Sequence, residues 1–148
     1  MPDISISTDI IVGFPGEAKA AFNKSVAVFK KARFDMAYIN KYSPRPGTAA
    51  YSMEDDVSKA EKSRREKVLT DILRQTALKN NQKLLGKIIP ALIIKKGKNR
   101  NAWLGKTGGN KTILIESSTN LRGKFINAGV TQAFPWGLRG KISNSTID

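Results

Sequence analysis

The hydrophobic period of this chain changes once, near Gly86, and that change limits the folds open to it. Upstream, apolar residues gather in short β-branched runs or recur at helical spacing. Downstream they alternate every second residue, between turns rich in Gly, Asn and Lys. A sequence of 148 residues with one such switch reads as two small domains rather than one continuous core. We place the boundary between 84 and 85, giving domains 1–84 and 85–148.

In the first part, Ile4, Ile6, Ile10, Ile11 and Val12 form a run closed by Gly13-Phe14-Pro15-Gly16. A short apolar run ending in Gly and Pro predicts a buried parallel strand. Phe22, Val26 and Phe29 mark one face of a helix over 17–33, and Phe34 to Tyr42 reads as a second strand. This is a strand–helix–strand unit, the building block of parallel sheets. Ser43 to Thr48 is a stiff turn. A long helix over 53–84 follows, with Ser52 as its cap and Asp55 as the capping acid. Val57, Ala60, Leu69, Ile72, Leu73, Thr76 and Ala77 trace its inner stripe, and Lys59, Lys62, Arg65, Lys67 and Lys79 point elsewhere.

The second part predicts five short strands, near 87–95, 101–106, 111–116, 123–132 and 138–143. Five such strands in one small domain predict a closed or half-closed barrel. The fold class is therefore α/β followed by all-β.

Charge follows the same division. Lys and Arg number 26 against 12 Asp and Glu, a net +14. Residues 85–148 hold 11 of the basic residues and 2 of the acidic ones. Such an excess on a small barrel points to a polyanionic partner, and small barrels bind single-stranded or looped RNA in this way; the alternative is a solvated lysine face. The basic residues cluster at turns: Lys95, Lys96, Lys98 and Arg100 in one, Lys106 and Lys111 around a second, Arg122 and Lys124 at a third, with Arg139 near the end. Turns of this kind can converge on one face. Trp103, Phe125, Phe134 and Trp136 are available for stacking or for the core, and Trp136 in its Pro-Trp-Gly turn is the stacking candidate.

The sequence has no cysteine and no histidine. Within this chain that excludes disulfides, thiolate-held clusters, Cys/His zinc sites and histidine acid–base chemistry. Gly105-Lys106-Thr107 is not a phosphate loop, because position 100 is Arg where that motif needs Gly. No apolar run reaches the length of a membrane span, and Met1 to Asp9 do not read as a secretory signal, so a cytoplasmic location away from membranes is expected.

Val12, Gly13, Phe14, Pro15, Gly16 and Glu17 lie at the C-terminal end of the first strand, where α/β proteins bind small molecules. The same residues also read as an ordinary strand–helix turn, with Glu17 answering the helix dipole.

The stretch from Ser7 to Glu17, with Arg33-Phe34-Asp35 and Tyr42 to Ala49, resembles the radical-SAM methylthiotransferases. Gly86-Lys87, Gly105-Lys106-Thr107, Asn110-Lys111, Gly123-Lys124-Phe125 and Leu138-Arg139-Gly140 are similar to residues of that family's C-terminal TRAM domain. The Tyr-Ser-Pro-Arg-Pro-Gly-Thr version is most like the tRNA branch. The resemblance implies the final strand–helix units of a partial TIM-type radical-SAM barrel, followed by an OB-like TRAM barrel. It implies methylthiolation of a modified adenosine beside the anticodon, with S-adenosylmethionine and 4Fe-4S clusters as cofactors. The tRNA anticodon stem-loop is the implied partner, and Val12 to Glu17 the implied S-adenosylmethionine contact. The family's CxxxCxxC cluster motif lies upstream of the matching segment. No residue here is therefore expected to be catalytic or to hold a metal, and the chain alone is expected to be inactive, as a C-terminal fragment. The alternative is a stand-alone, non-enzymatic RNA-binding protein. Ala18 to Ala21 depart from the family, which favours Thr and acids at this helix start.

Overall fold

In the computed structural model, which describes residues 4–144, the elements run β1 (Ser7–Val12), α1 (Lys19–Ala32), β2 (Met36–Lys41), a 3-10 turn (Ala49–Ser52) and α2 (Lys59–Gln82). Five strands follow: β3 (Ile88–Lys96), β4 (Ala102–Thr107), β5 (Thr112–Glu116), β6 (Phe125–Phe134) and β7 (Gly137–Ile142). Two compact units result. One is Ile6–Thr76, and the other begins at Ala77 inside α2 and includes Ile4 and Ser5.

In the first unit β1 and β2 pair in parallel, Ser7 opposite Met36 through Val12 opposite Lys41, with α1 as the crossover. Phe22 and Phe29 are buried on α1, as the spacing predicts, and pack with Val12, Phe34, Leu69 and Leu73. Arg33 ends α1 in the left-handed region at φ 51° and donates its N–H to the Phe29 carbonyl. Phe34 meets Phe29 edge-on at 5.1 Å.

Three expectations need correction here. The first strand starts at Ser7 rather than Ile4, and it is not buried on both faces. Ile10 and Val12 face the helices, whereas Ile11 is exposed, because only one face of this two-stranded sheet is covered. Ser52 does not cap the long helix. Its hydroxyl bonds the Ala49 carbonyl within the 3-10 turn, and Ser58 Oγ accepts the Glu61 N–H across the first turn of α2. Finally, Lys62 and Arg65 do not point away from the core. They are 4% and 5% exposed.

The second unit is the closed five-stranded barrel, in the order β3-β4-β5-β7-β6. All neighbours are antiparallel except β5 and β7. Register shifts at Ile93/Lys95 and Val130/Gln132 bend β3 and β6, as closure of so small a barrel requires. Ala91, Ile93, Trp103, Ile113, Ile115, Leu121, Ala128, Val130 and Leu138 fill it. Gly105 and Gly140 sit where a Cβ would lie 2.8 Å from the Leu92 carbonyl and 2.7 Å from the Gly129 carbonyl. Gly105 therefore serves strand contact, in keeping with the exclusion of a phosphate loop.

Candidate functional site

The loop from Val12 to Glu17 is built from within its own unit. Gly13 has φ +69°, and a Cβ there would lie 2.4 Å from Lys62 Cγ, so the buried lysine stem occupies the space beside it. Lys62 Nζ reaches both Asp55 oxygens, at 2.5 and 2.7 Å, and sits 5.1 Å from the Tyr42 ring centre. Tyr42 in turn meets Phe14 edge-on. The Glu17 carboxylate accepts from the Gly13 N–H and from Arg65 Nη1, the latter at 2.6 Å. Gly16 donates its N–H to Asp56 at 2.8 Å, and the N–H groups of Glu17 and Ala18 bond the Phe14 and Gly16 carbonyls. With these donors engaged, what the loop presents outward is surface, chiefly the half-exposed Phe14 beside Pro15.

Arg65 is the hub. Its Nε binds Glu61 at 2.9 Å while Nη1 holds both the side chain and the carbonyl of Glu17. Burial pulls the Arg65 pKa down, but the hydrogen bonds to Glu61 and Glu17 outweigh it and leave the pKa raised. Hydrogen bonds from Arg64 and then Arg65 lower the Glu61 carboxyl to about 2. Reading Lys62 and Arg65 as solvent-facing missed this network. The signal was present in Ser58-Lys59-Ala60-Glu61, a capping-box pattern that sets the true helix start and hence the inward face.

The barrel separates the basic residues into two groups. The β3–β4 turn and the β5–β6 connection lie at one end, because β3 and β6 run antiparallel. They carry Lys95, Lys96, Lys98, Arg100, Arg122 and Lys124, all exposed, with the exposed Phe125 beside them. Among the described residues none of these six pairs with an acid. The β4–β5 and β6–β7 turns lie at the opposite end, with Lys106, Lys111 and Trp136. Alternating hairpin ends make this unavoidable, so the three basic turns do not share one face. Arg139 projects from mid-β7, opposite Leu114 and Gln132. Of the four aromatics, Trp103 belongs to the core, its Nε1–H on the Ser117 carbonyl, and Phe125, Phe134 and Trp136 are exposed.

No group of three or more acidic side chains among the described residues is placed to hold a metal, and with no cysteine the chain does not fit an iron–sulfur cluster. No helix among the described residues is long and apolar enough to cross a membrane.

A parallel strand–helix–strand unit followed by a closed barrel that carries most of the positive charge defines a two-part protein. Its relatives narrow this. A tRNA-2-methylthio-N(6)-dimethylallyladenosine synthase of Dehalococcoides mccartyi is 41% identical over 143 residues, 96% of this chain and 34% of its own length. Proteins of the same name from Orientia tsutsugamushi and Geobacillus kaustophilus are 41% and 35% identical, covering 95% and 100% of this chain. No family model matches. Over nearly its whole length the chain matches tRNA methylthiotransferases, and it spans about a third of the length of these curated relatives.

Proposed function

We propose that this chain supplies the C-terminal portion of a tRNA methylthiotransferase. Residues 1–84 would form the last strand–helix units of a partial TIM-type radical-SAM barrel, and residues 85–148 a TRAM domain that grips the anticodon stem-loop in the cytoplasm. The observation that carries this reading is the set of six exposed basic side chains at one end of the closed barrel, none of them paired with an acid among the described residues. Val12 to Glu17 would present one wall of the S-adenosylmethionine site through shape. The 4Fe-4S clusters that drive such chemistry would be held by residues outside this sequence, since it contains no cysteine.

The same lack of cysteine favours a second reading, an RNA-binding protein without chemistry of its own. Both readings require RNA binding, which is the first thing to test. The chain is titrated with an anticodon stem-loop at several salt concentrations. Four or five phosphate contacts give a log–log slope of roughly −3 to −4. Lys96→Ala with Lys98→Ala should flatten it by about 1.4. Undetectable or salt-independent binding by folded chain removes both readings. Activity restored by adding the cluster-bearing remainder of the enzyme separates the first from the second.

A further inference from the structure

We propose that the groove between β5, β7 and the β6–β7 turn is a subsite for one unstacked nucleobase of single-stranded RNA. The inference rests on the barrel being an RNA-binding domain and names where it takes a base. The groove has a volume of about 230 Å³ and is lined by Thr112, Leu114, Phe134, Trp136 and Arg139, among others. Small-molecule and cofactor sites run to roughly 300–1,000 Å³. The groove is therefore sized for a single ring system rather than a whole cofactor.

Its lining matches a nucleobase. Trp136 is 57% exposed and Phe134 47%, although both are large and apolar. Aromatic faces and arginine guanidinium planes are the groups on which single-stranded bases stack. Arg139 stands on the same groove and is held at one corner by Gln132, Nη1 to Oε1 at 3.3 Å. The β4–β5 turn at this end carries Lys106 and Lys111, and Lys111 immediately precedes the groove residue Thr112. A base in the groove thus has cations near its own phosphates, which a second copy of this basic chain would not welcome.

The site is also held in place before any ligand arrives. Asn81 Nδ2 donates to the Phe134 carbonyl at 2.7 Å, which pins the turn carrying Trp136. Pro135 fixes one backbone angle of that turn. Gly137 lets β7 approach β5 so closely that a Cβ would lie 2.7 Å from the Thr112 carbonyl. Preorganisation of this kind reduces the entropy lost on binding. The six cations at the far barrel end then hold backbone while this groove holds a base, so the two contributions separate experimentally.

The test uses the full chain and a fluorescein-labelled oligoadenylate RNA, with anisotropy for affinity and acrylamide quenching for Trp136. Trp103 is buried and serves as the internal reference. RNA is expected to shield Trp136 from acrylamide. Trp136→Ala should weaken binding by about 5- to 160-fold with the salt slope unchanged, and Trp136→Phe should recover most of it. Lys96→Ala with Lys98→Ala should flatten the slope and leave the shielding intact. If wild type binds but Trp136 stays fully quenchable, or Trp136→Ala binds as tightly, the subsite is overturned while RNA binding stands. If folded wild type does not bind, the RNA-binding reading falls and the subsite with it. Shielding on raising protein concentration alone would assign the groove to a second copy and overturn the proposal. Should Trp136→Ala fail to fold, the wild-type quenching and Trp136→Phe decide.

Discussion

Arg65 and Glu17 lie 48 residues apart in the sequence, yet the Arg65 Nη1 is 2.6 Å from the Glu17 carboxylate and 2.7 Å from its carbonyl oxygen. One guanidinium thus ties the loop after β1 to the first turns of α2. Both side chains are largely withdrawn from solvent, at 6% and 13% exposure. Removing one partner of such a pair strands the other charge. Arg65→Met should therefore cost about 3 kcal/mol in urea unfolding, the low end of the usual range because Glu17 keeps the Gly13 N–H. Arg65→Lys should recover only part, since a point charge cannot serve Glu17 and Glu61 in the same fork. A loss below about 1 kcal/mol for Arg65→Met would place the pair with ordinary surface ion pairs.

Two glycines of the same loop separate backbone strain from crowding. Gly13 and Gly16 both have positive φ, at +69° and +79°. A Cβ at Gly16 meets nothing within 4 Å, whereas at Gly13 it strikes Lys62 Cγ. Gly16→Ala should cost roughly 1–2 kcal/mol, the left-handed penalty alone. Gly13→Ala should cost clearly more, because the buried lysine must shift. Equal losses in denaturant titration would show that Lys62 yields freely.

The contrast between these sites and the barrel explains what the sequence makes legible. Period-two alternation with Gly-rich turns marks five strands, and the observed strands fall within two residues of each expected end. Alternation works there because each strand has one face on a closed core. The same logic misreads β1, since Ile4, Ile6 and Ile11 look like core residues but lie on the uncovered side of a two-stranded sheet or ahead of it. Lys62 and Arg65 were legible only through the Ser58 capping pattern, which sets the helix start but not the partners. A buried cation is recognised by its partners, and tertiary structure brings Glu17 to Arg65 from 48 residues away, whereas Glu61 lies one helical turn before Arg65 and Asp55 seven residues before Lys62. The separation of the basic turns follows from hairpin geometry and was available from strand order, had that order been known.

Glu61 gives the chain an acid-sensitive component. Its carboxyl is lowered from 4.5 to about 2, first by the hydrogen bond from Arg64 and then by that from Arg65. A depressed carboxylate pKa contributes stability that is complete above the unfolded value and is lost as pH falls through the folded one. The window is therefore from about 4.5 down to about 2. Carbon NMR of the Glu61 carboxyl should show a midpoint near 2, and Glu61→Gln should flatten the stability profile in this window. A midpoint at the ordinary value would mean that the Arg64 and Arg65 contacts do not persist in solution.

The barrel interior tolerates no added carbon at two crossings. At Gly140 a Cβ would lie 2.7 Å from the Gly129 carbonyl and 3.2 Å from Ile113 Cδ1, and at Gly105 it would lie 2.8 Å from the Leu92 carbonyl. Backbone oxygens in a closed sheet cannot step aside singly. Gly105→Ala and Gly140→Ala should each cost about 1–3 kcal/mol or more by overpacking. Gly108→Ala, with nothing within 4 Å, is the control and should leave the melting temperature near wild type. A stable, cooperative Gly140→Ala barrel would require a strand spacing wider than the one described.

Asn81 is the last test, because it joins helix and barrel chemistry within one unit. It is 3% exposed, and its Nδ2 donates to the Phe134 carbonyl at 2.7 Å and the Pro135 carbonyl at 3.5 Å. Asn81→Ala should cost about 1–3 kcal/mol, the usual loss when a buried acceptor is left without its donor. Asn81→Asp keeps the shape but turns a donor toward two carbonyl oxygens into a charged acceptor, and should be worse at neutral pH. Burial beside those carbonyls raises the new carboxyl's pKa above its unfolded value. Stability in that variant is then greatest below the unfolded pKa, where the protonated acid donates again, and is lost as pH rises through the folded one. Urea unfolding of both variants between pH 4 and 8 checks this. The aspartate variant should fall below the alanine variant as pH rises, and parallel profiles would show that the Asn81 amide is not the group holding the Phe134–Gly137 turn.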